Sequence, residues 1–148
     1  MKKIILITIL TLSLAITNAQ TKVYKGTSTF SRDVICNLNN NKVYKKTSSF
    51  LSNVICNVSG KRVCKGTSTF SRDVLYNISD GKVYKGTSSF SRDIVMTIKD
   101  SKIYKGTSSF SRDVIATIKS GKVYTGNSSF TSDIQFTIDG QVTIEEFV

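Results

Sequence analysis

The sequence predicts an all-β fold: six tandem 20-residue two-stranded units that form a closed antiparallel barrel or flower, with an open β-solenoid as the alternative. Three observations carry this. A Phe recurs at Phe30, Phe50, Phe70, Phe90, Phe110 and Phe130, always 20 residues apart. Each interval contains a five-residue stretch alternating in polarity, such as Val114-Ile115-Ala116-Thr117-Ile118. Each stretch is followed by Asn, Asp, Ser or Gly, the residues that tolerate the positive φ of a tight hairpin. A fixed period of this length marks a supersecondary unit that cannot bury its apolar face alone, so it must stack on its neighbours or close into a ring.

The units run over 22–41, 42–61, 62–81, 82–101, 102–121 and 122–140. In each, a short first strand (Lys22-Val23-Tyr24-Lys25 and its copies) precedes a hydroxyl-rich linker such as Gly26 to Asp33. The Phe in that linker is expected to be a pin buried against the core. Arg32-Asp33 and its copies stand at the entrance to the second strand. Adjacent strand residues face opposite ways, so each Arg is expected to reach the Asp of a neighbouring unit.

The second strands begin at Val34, Val54, Val74, Ile94, Val114 and Ile134, and their first and last positions are always Val, Ile or Leu. Their middle position runs Cys36, Cys56, Tyr76, Met96, Ala116 and Phe136, and by period-two alternation it shares an inner face with those ends. The fourth position is always Asn or Thr. Each second strand is expected to fold back onto the first strand of the next unit. A tail at Gln141 to Val148 opens with Val142-Thr143-Ile144, which reads as a further first strand able to pair with Ile134 to Ile138. The chain has no Pro to break a ladder and no polar capping repeat, and closure would remove sheet edges, which favours the ring over the solenoid.

The first nineteen residues read as a signal peptide. Lys2 and Lys3 precede an uncharged apolar run from Ile4 to Ile16, then the small-residue site Thr17-Asn18-Ala19. That run is shorter than the roughly 20 residues of a spanning helix. The expectation is cleavage after Ala19, a single β-repeat domain over 20–148, and a secreted, periplasmic or cell-surface location with no transmembrane segment in the mature chain.

The units resemble the β-flower families in G-K-V-Y-K-G, S-S-F-S-R-D and D-V-I-x-T-I and in the turn Gly, over residues 22 to 144. The resemblance implies a shallow all-β barrel of radially arranged hairpins, with an apolar interior and no settled activity. A lipid-related role is suggested there by analogy with tubby-like barrels.

Nothing in the chain assembles into catalytic chemistry. It has no His, the commonest general base and metal ligand. A single Asp recurs before the second strand in five of the six units, too sparse an oxygen set for calcium. No enzyme activity, cofactor or metal is expected. The formal net charge is +11, and the cations recur by symmetry. Lys25, Lys45, Lys65, Lys85 and Lys105 share one place, with Thr125 sixth. Lys22, Lys42, Lys82, Lys102 and Lys122 share another, with Arg62 in unit three. The first set is the candidate binding ring, for anionic lipid headgroups or acidic glycans; nucleic acid is a poor fit for an exported protein. The alternative is a purely structural secreted protein with Lys serving solubility.

Cys36, Cys56 and Cys64 make an odd number in an oxidising compartment. Cys36 and Cys56 should lie about 10 Å apart, too far to bridge. A three-residue turn at Ser59 to Lys61 would set Cys56 opposite Cys64 and allow a disulfide. A four-residue turn would place Cys56 opposite Lys65 and leave three free thiols as small apolar core residues.

Overall fold

The structure is a computed structural model that describes residues 20–140, and it is a closed barrel of twelve antiparallel strands. The strands are β1 (Thr21–Lys25), β2 (Val34–Asn39), β3 (Lys42–Lys45), β4 (Val54–Ser59), β5 (Arg62–Lys65), β6 (Val74–Ser79), β7 (Lys82–Lys85), β8 (Ile94–Lys99), β9 (Lys102–Lys105), β10 (Val114–Lys119), β11 (Lys122–Thr125) and β12 (Ile134–Asp139). Each pairs with its neighbours in sequence, and β1 closes the ring on β12. Closure repeats the internal register. Lys22 to Lys25 oppose Asp139 to Phe136 as Lys42 to Lys45 oppose Asn39 to Cys36. Both edges of β12 are therefore taken, by β11 and β1, and the further first strand expected at Val142 to Ile144 lies outside the described residues. The rest of the tail and the signal-like segment lie outside them too.

Turns between units are two-residue connections between the last paired residues, such as Asn39 and Lys42. Asn40 and Asn41 both have positive φ, as do Asp80-Gly81, Asp100-Ser101 and Ser120-Gly121, the left-handed pair that a twisted hairpin requires. In the second turn only Gly60 does. That turn sets Cys56 opposite Lys65 and Cys64 opposite Asn57, so the two sulfurs are not cross-strand partners. All three cysteines are free and buried, which corrects the candidate Cys56–Cys64 disulfide.

Cross-strand partners share a face of the sheet, which locates the core. Val23, Val43, Val63, Val83, Ile103 and Val123, all 0–1% exposed, form its central ring, with Cys36, Cys56, Met96, Ala116, Leu38, Val58, Ile118 and Phe136 against them. The ring is closed to solvent, so side chains rather than water fill this layer.

A β-bulge changes one expectation. Val23 pairs with Cys36 but Tyr24 pairs with Val34, leaving Ile35 as the extra residue, and the same shift recurs in the five other units. The bulge moves the first apolar residue of the second strand onto the Tyr face. Val34, Val74, Ile94, Val114 and Ile134 are buried yet stand outside the core cluster, contrary to the alternation-based assignment.

Burial holds the Cys36 and Cys56 thiols up at about 12, against 9.0 for a free thiol, with a smaller contribution from a neighbouring thiol. Burial also raises Cys64. Because these groups ionise later in the native state, the stability they contribute is fully present below pH 9 and lost as pH rises towards 12, each unit of displacement being worth ~1.4 kcal/mol. We expect stability to fall less steeply over this range in the Cys36→Ala/Cys56→Ala variant than in wild type. Ala already occupies the equivalent place at Ala116. Equal slopes in alkaline urea titrations would refute the assignment. Thiol reagents should label none of the three rapidly in the native protein and all three after unfolding without reductant.

Candidate functional site

Strand polarity alone puts all six linkers at one end of the barrel and all the turns between units at the other. At the linker end each first strand finishes with Lys25, Lys45, Lys65, Lys85, Lys105 or Thr125. Lys45 pairs with Cys36, Lys65 with Cys56, Lys105 with Met96 and Lys25 with Phe136, all core partners. The ring therefore occupies the core-facing parity of the sheet where the strands leave the core, at the mouth of the barrel, and all five amines are solvent-exposed. Neighbouring ring positions are two strands, about 10 Å, apart. Among the described residues the ion pairs are the four between Arg and Asp, and none involves a ring lysine. The second set behaves differently. Lys22, Lys42, Lys102 and Lys122 are half-buried at the turn end and share the face of Asn37, Asn57 and Thr117.

The residue after the ring lysine starts the linker in the left-handed region, at φ 54–60° in Gly26, Gly66, Gly86, Gly106 and Gly126 and at φ 53° in Lys46. A side chain is strained there by ~1 kcal/mol or more. Lys46→Gly should raise stability by about 1 kcal/mol in urea unfolding; an unchanged midpoint would contradict this. The backbone N–H at this position donates to the bulge residue of the preceding unit, from Lys46 to Ile35 at 3.0 Å and, across the closure, from Gly26 to Gln135 at 2.8 Å.

The linker is an internally bonded structure. Ser28 Oγ donates to Asp33 Oδ2 at 2.6 Å and accepts the Phe30 N–H at 3.1 Å, while Asp33 N–H donates to the Phe30 carbonyl at 2.9 Å, closing one turn of 3-10 helix over Ser31–Asp33. The same set recurs on Ser68, Ser88, Ser108 and Ser128. In unit two Asn53 replaces Asp and donates its amide to Ser48 Oγ at 2.9 Å, so the link survives with its polarity reversed. The recurring Asp is thus a structural acceptor.

The fourth residue of each second strand clasps the following linker, a role not legible from its chemistry alone. Asn37 Nδ2 donates to the carbonyls of Lys46 and Ser48, and Asn57 and Asn77 reach Ser68 and Ser88. The shorter Thr97, Thr117 and Thr137 donate instead to Gly106, Gly126 and Gly26, the last again across the closure. No buried side-chain polar atom among the described residues lacks a partner.

Held this way, the linkers expose their aromatics. The six Phe are 62–72% exposed, which overturns the buried pin: the Ser–Asp pair and the clasp hold the linker, leaving the ring outside. The guanidinium of Arg32 lies 5.2 Å from the Phe30 ring centroid, and Arg72, Arg92 and Arg112 repeat the arrangement. Each Arg sits 3.9–4.0 Å from the Asp next to it rather than from a neighbouring unit's Asp, because the pair occupies a 3-10 turn and not a strand. At such exposure the pairs are worth well under ~1 kcal/mol. Phe90→Ala should accordingly alter stability by less than about 1 kcal/mol, and a larger loss would show a hidden packing role.

In units one and three the linker forms an open cleft, about 550 Å³ between Lys25 and Asp33 and about 530 Å³ between Lys65 and Asp73, bringing a lysine, an arginine, hydroxyls and an aromatic face together. Among the described residues no cluster of His, Cys, Asp or Glu could hold a metal ion. What the arrangement offers is repeated cation and aromatic contacts at one end of a rigid ring.

No curated protein and no solved structure matches this chain. The family model described as "6-fold beta flower protein" matches residues 23–146, in agreement with the six hairpin units and the closed ring, and the chain belongs to that family.

Proposed function

We propose that this protein is an exported, non-catalytic module that binds anionic surfaces, lipid headgroups or acidic glycans, through the Lys25, Lys45, Lys65, Lys85 and Lys105 ring. The observation that carries the reading is the placement of five exposed lysines, without an ion pair among the described residues, at equivalent points of one barrel mouth. A ring of weak contacts gains by multiplicity, since the later ones form at high effective concentration once the first is made. Export rests on the three-part start at residues 1–19, and the absence of catalysis on a chain without His whose recurring Asp is engaged by Ser.

The test replaces all five lysines by Gln and measures retention on anionic vesicles and on an immobilised acidic polysaccharide at two salt concentrations. Wild type should be retained at low salt and released at high salt, and the variant should not be retained. If wild type is not retained on either matrix at low salt, the lysines serve solubility and the purely structural reading stands. For export, mass spectrometry of the mature protein should find Gln20 at its start, and an intact Met1 would refute it.

A further inference from the structure

Both ends of the barrel are basic, so charge alone does not choose between them. The linker end carries ten cations, including Lys46 and the four Arg, against five Asp; the turn end carries nine against three. Among the described residues only the linker end carries large apolar side chains in the open. It holds the six Phe, with Leu51, next to Phe50, 65% exposed and Ile55 43% exposed. In unit two Leu51 and Ser52 stand where four other units have Ser and Arg, so Phe50 has no guanidinium over it and is 72% exposed. Isolated surface apolar groups need no explanation. Six copies of the largest apolar side chain in the repeat, four of them under an Arg, do.

Resting on the anionic-surface reading above, we propose that the linker end is a bilayer-docking face: the Phe crown, with Leu51, enters the headgroup boundary of an anionic membrane while the lysine ring and the arginines engage its phosphates. The flatness of the partner follows from the symmetry. The strand register is the same in all six units and across the closure, so the six linkers stand at one height around the axis and can meet a planar surface together. A linear polymer laid across the same end would meet few of them. Charge complementarity selects anionic over neutral lipid, and the apolar crown adds a contact that salt does not screen. The Arg over Phe30, Phe70, Phe90 and Phe110 keeps a cation at the depth where these four aromatics meet the phosphates.

The chain has no Trp, so Phe50→Trp installs a single reporter at an Arg-free position that is 72% exposed, as Phe130 is. It is titrated with vesicles of phosphatidylcholine alone and of phosphatidylcholine with phosphatidylglycerol. A parallel variant carries Phe30→Ser, Phe50→Ser, Phe90→Ser and Phe110→Ser, with circular dichroism and thermal melting confirming its fold. The expected result is a blue shift of the Trp emission and quenching by bromine-labelled acyl chains with the anionic vesicles only. The Ser variant should lose at least tenfold in vesicle affinity while keeping its retention on acidic polysaccharide. Retention on anionic vesicles with neither blue shift nor dependence on the Phe overturns docking by insertion and leaves the lysine ring acting alone. Retention on polysaccharide but not on vesicles overturns the bilayer as partner. Retention on neither removes the anionic-surface reading as well. If the Ser variant fails to fold, the blue shift and quenching of Phe50→Trp decide the matter by themselves.

Discussion

A chain that begins at Gly26, and so lacks β1, is expected to lose the monomeric barrel, while one that begins at Gln20 keeps it. β1 is the strand that closes the ring, and without it β2 and β12 each present an unpaired edge, a template for pairing with another chain. The loss includes Val23 at 0% and Tyr24 at 5% exposure, each worth about 1.5–3 kcal/mol of buried apolar surface, and the ladder bonds on both sides. It also makes Gly26 the chain terminus, so that β1 no longer holds the N–H that reaches Gln135 or the carbonyl that Thr137 clasps at 2.7 Å. Set against a total stability of ~5–15 kcal/mol, these terms together are enough to abolish the closed state. Size-exclusion chromatography with light scattering should show oligomers or aggregate. A shortened chain that elutes as a monomer with the wild-type melting temperature would mean that the ring closes without β1.

The second large effect is on binding. Replacing Lys25, Lys45, Lys65, Lys85 and Lys105 by Gln should abolish retention on anionic vesicles and leave the melting temperature within a few degrees of wild type. Each Lys near an anionic membrane contributes ~1 kcal/mol, so the five together account for roughly 5 kcal/mol, more than a thousandfold in affinity. The fold should tolerate the change because the amines are exposed and form no ion pair among the described residues, and because Thr125 already stands in the sixth place. Replacing Lys22, Lys42, Lys82, Lys102 and Lys122 in the same way is the control. That set stands at the turn end, away from the Phe crown, and its loss should reduce retention far less. Equal losses from the two sets would show that net charge, not the mouth of the barrel, governs binding.

Much of this molecule is written in its period. Twenty residues between landmarks, alternation in the second strands and Asn, Asp or Gly at the turns specify hairpins by local chemistry, and six equal hairpins with no capping unit have their own edges to pair with. The lysine ring is legible for the same reason, since symmetry makes one position into six. Three features depended on the assembled barrel. The bulge residues Ile35, Ile55 and their copies add one residue per ladder, which alternation cannot count, so Val34 lies on the Tyr face instead of in the core. The turn length that separates Cys56 from Cys64 depends on which residues pair across the hairpin, and Gly60 admits more than one answer locally. An aromatic in every linker reads as a core pin, which points the Phe inward. That place is already taken by Val23, Val43, Val63, Val83, Ile103 and Val123, and the linker is held by Ser–Asp pairs and the Asn and Thr clasps from the neighbouring hairpin. Period and polarity are local properties that a sequence states directly. Which side of the wall a linker residue occupies is decided by what the neighbouring unit offers it, and that exists only once the ring has closed.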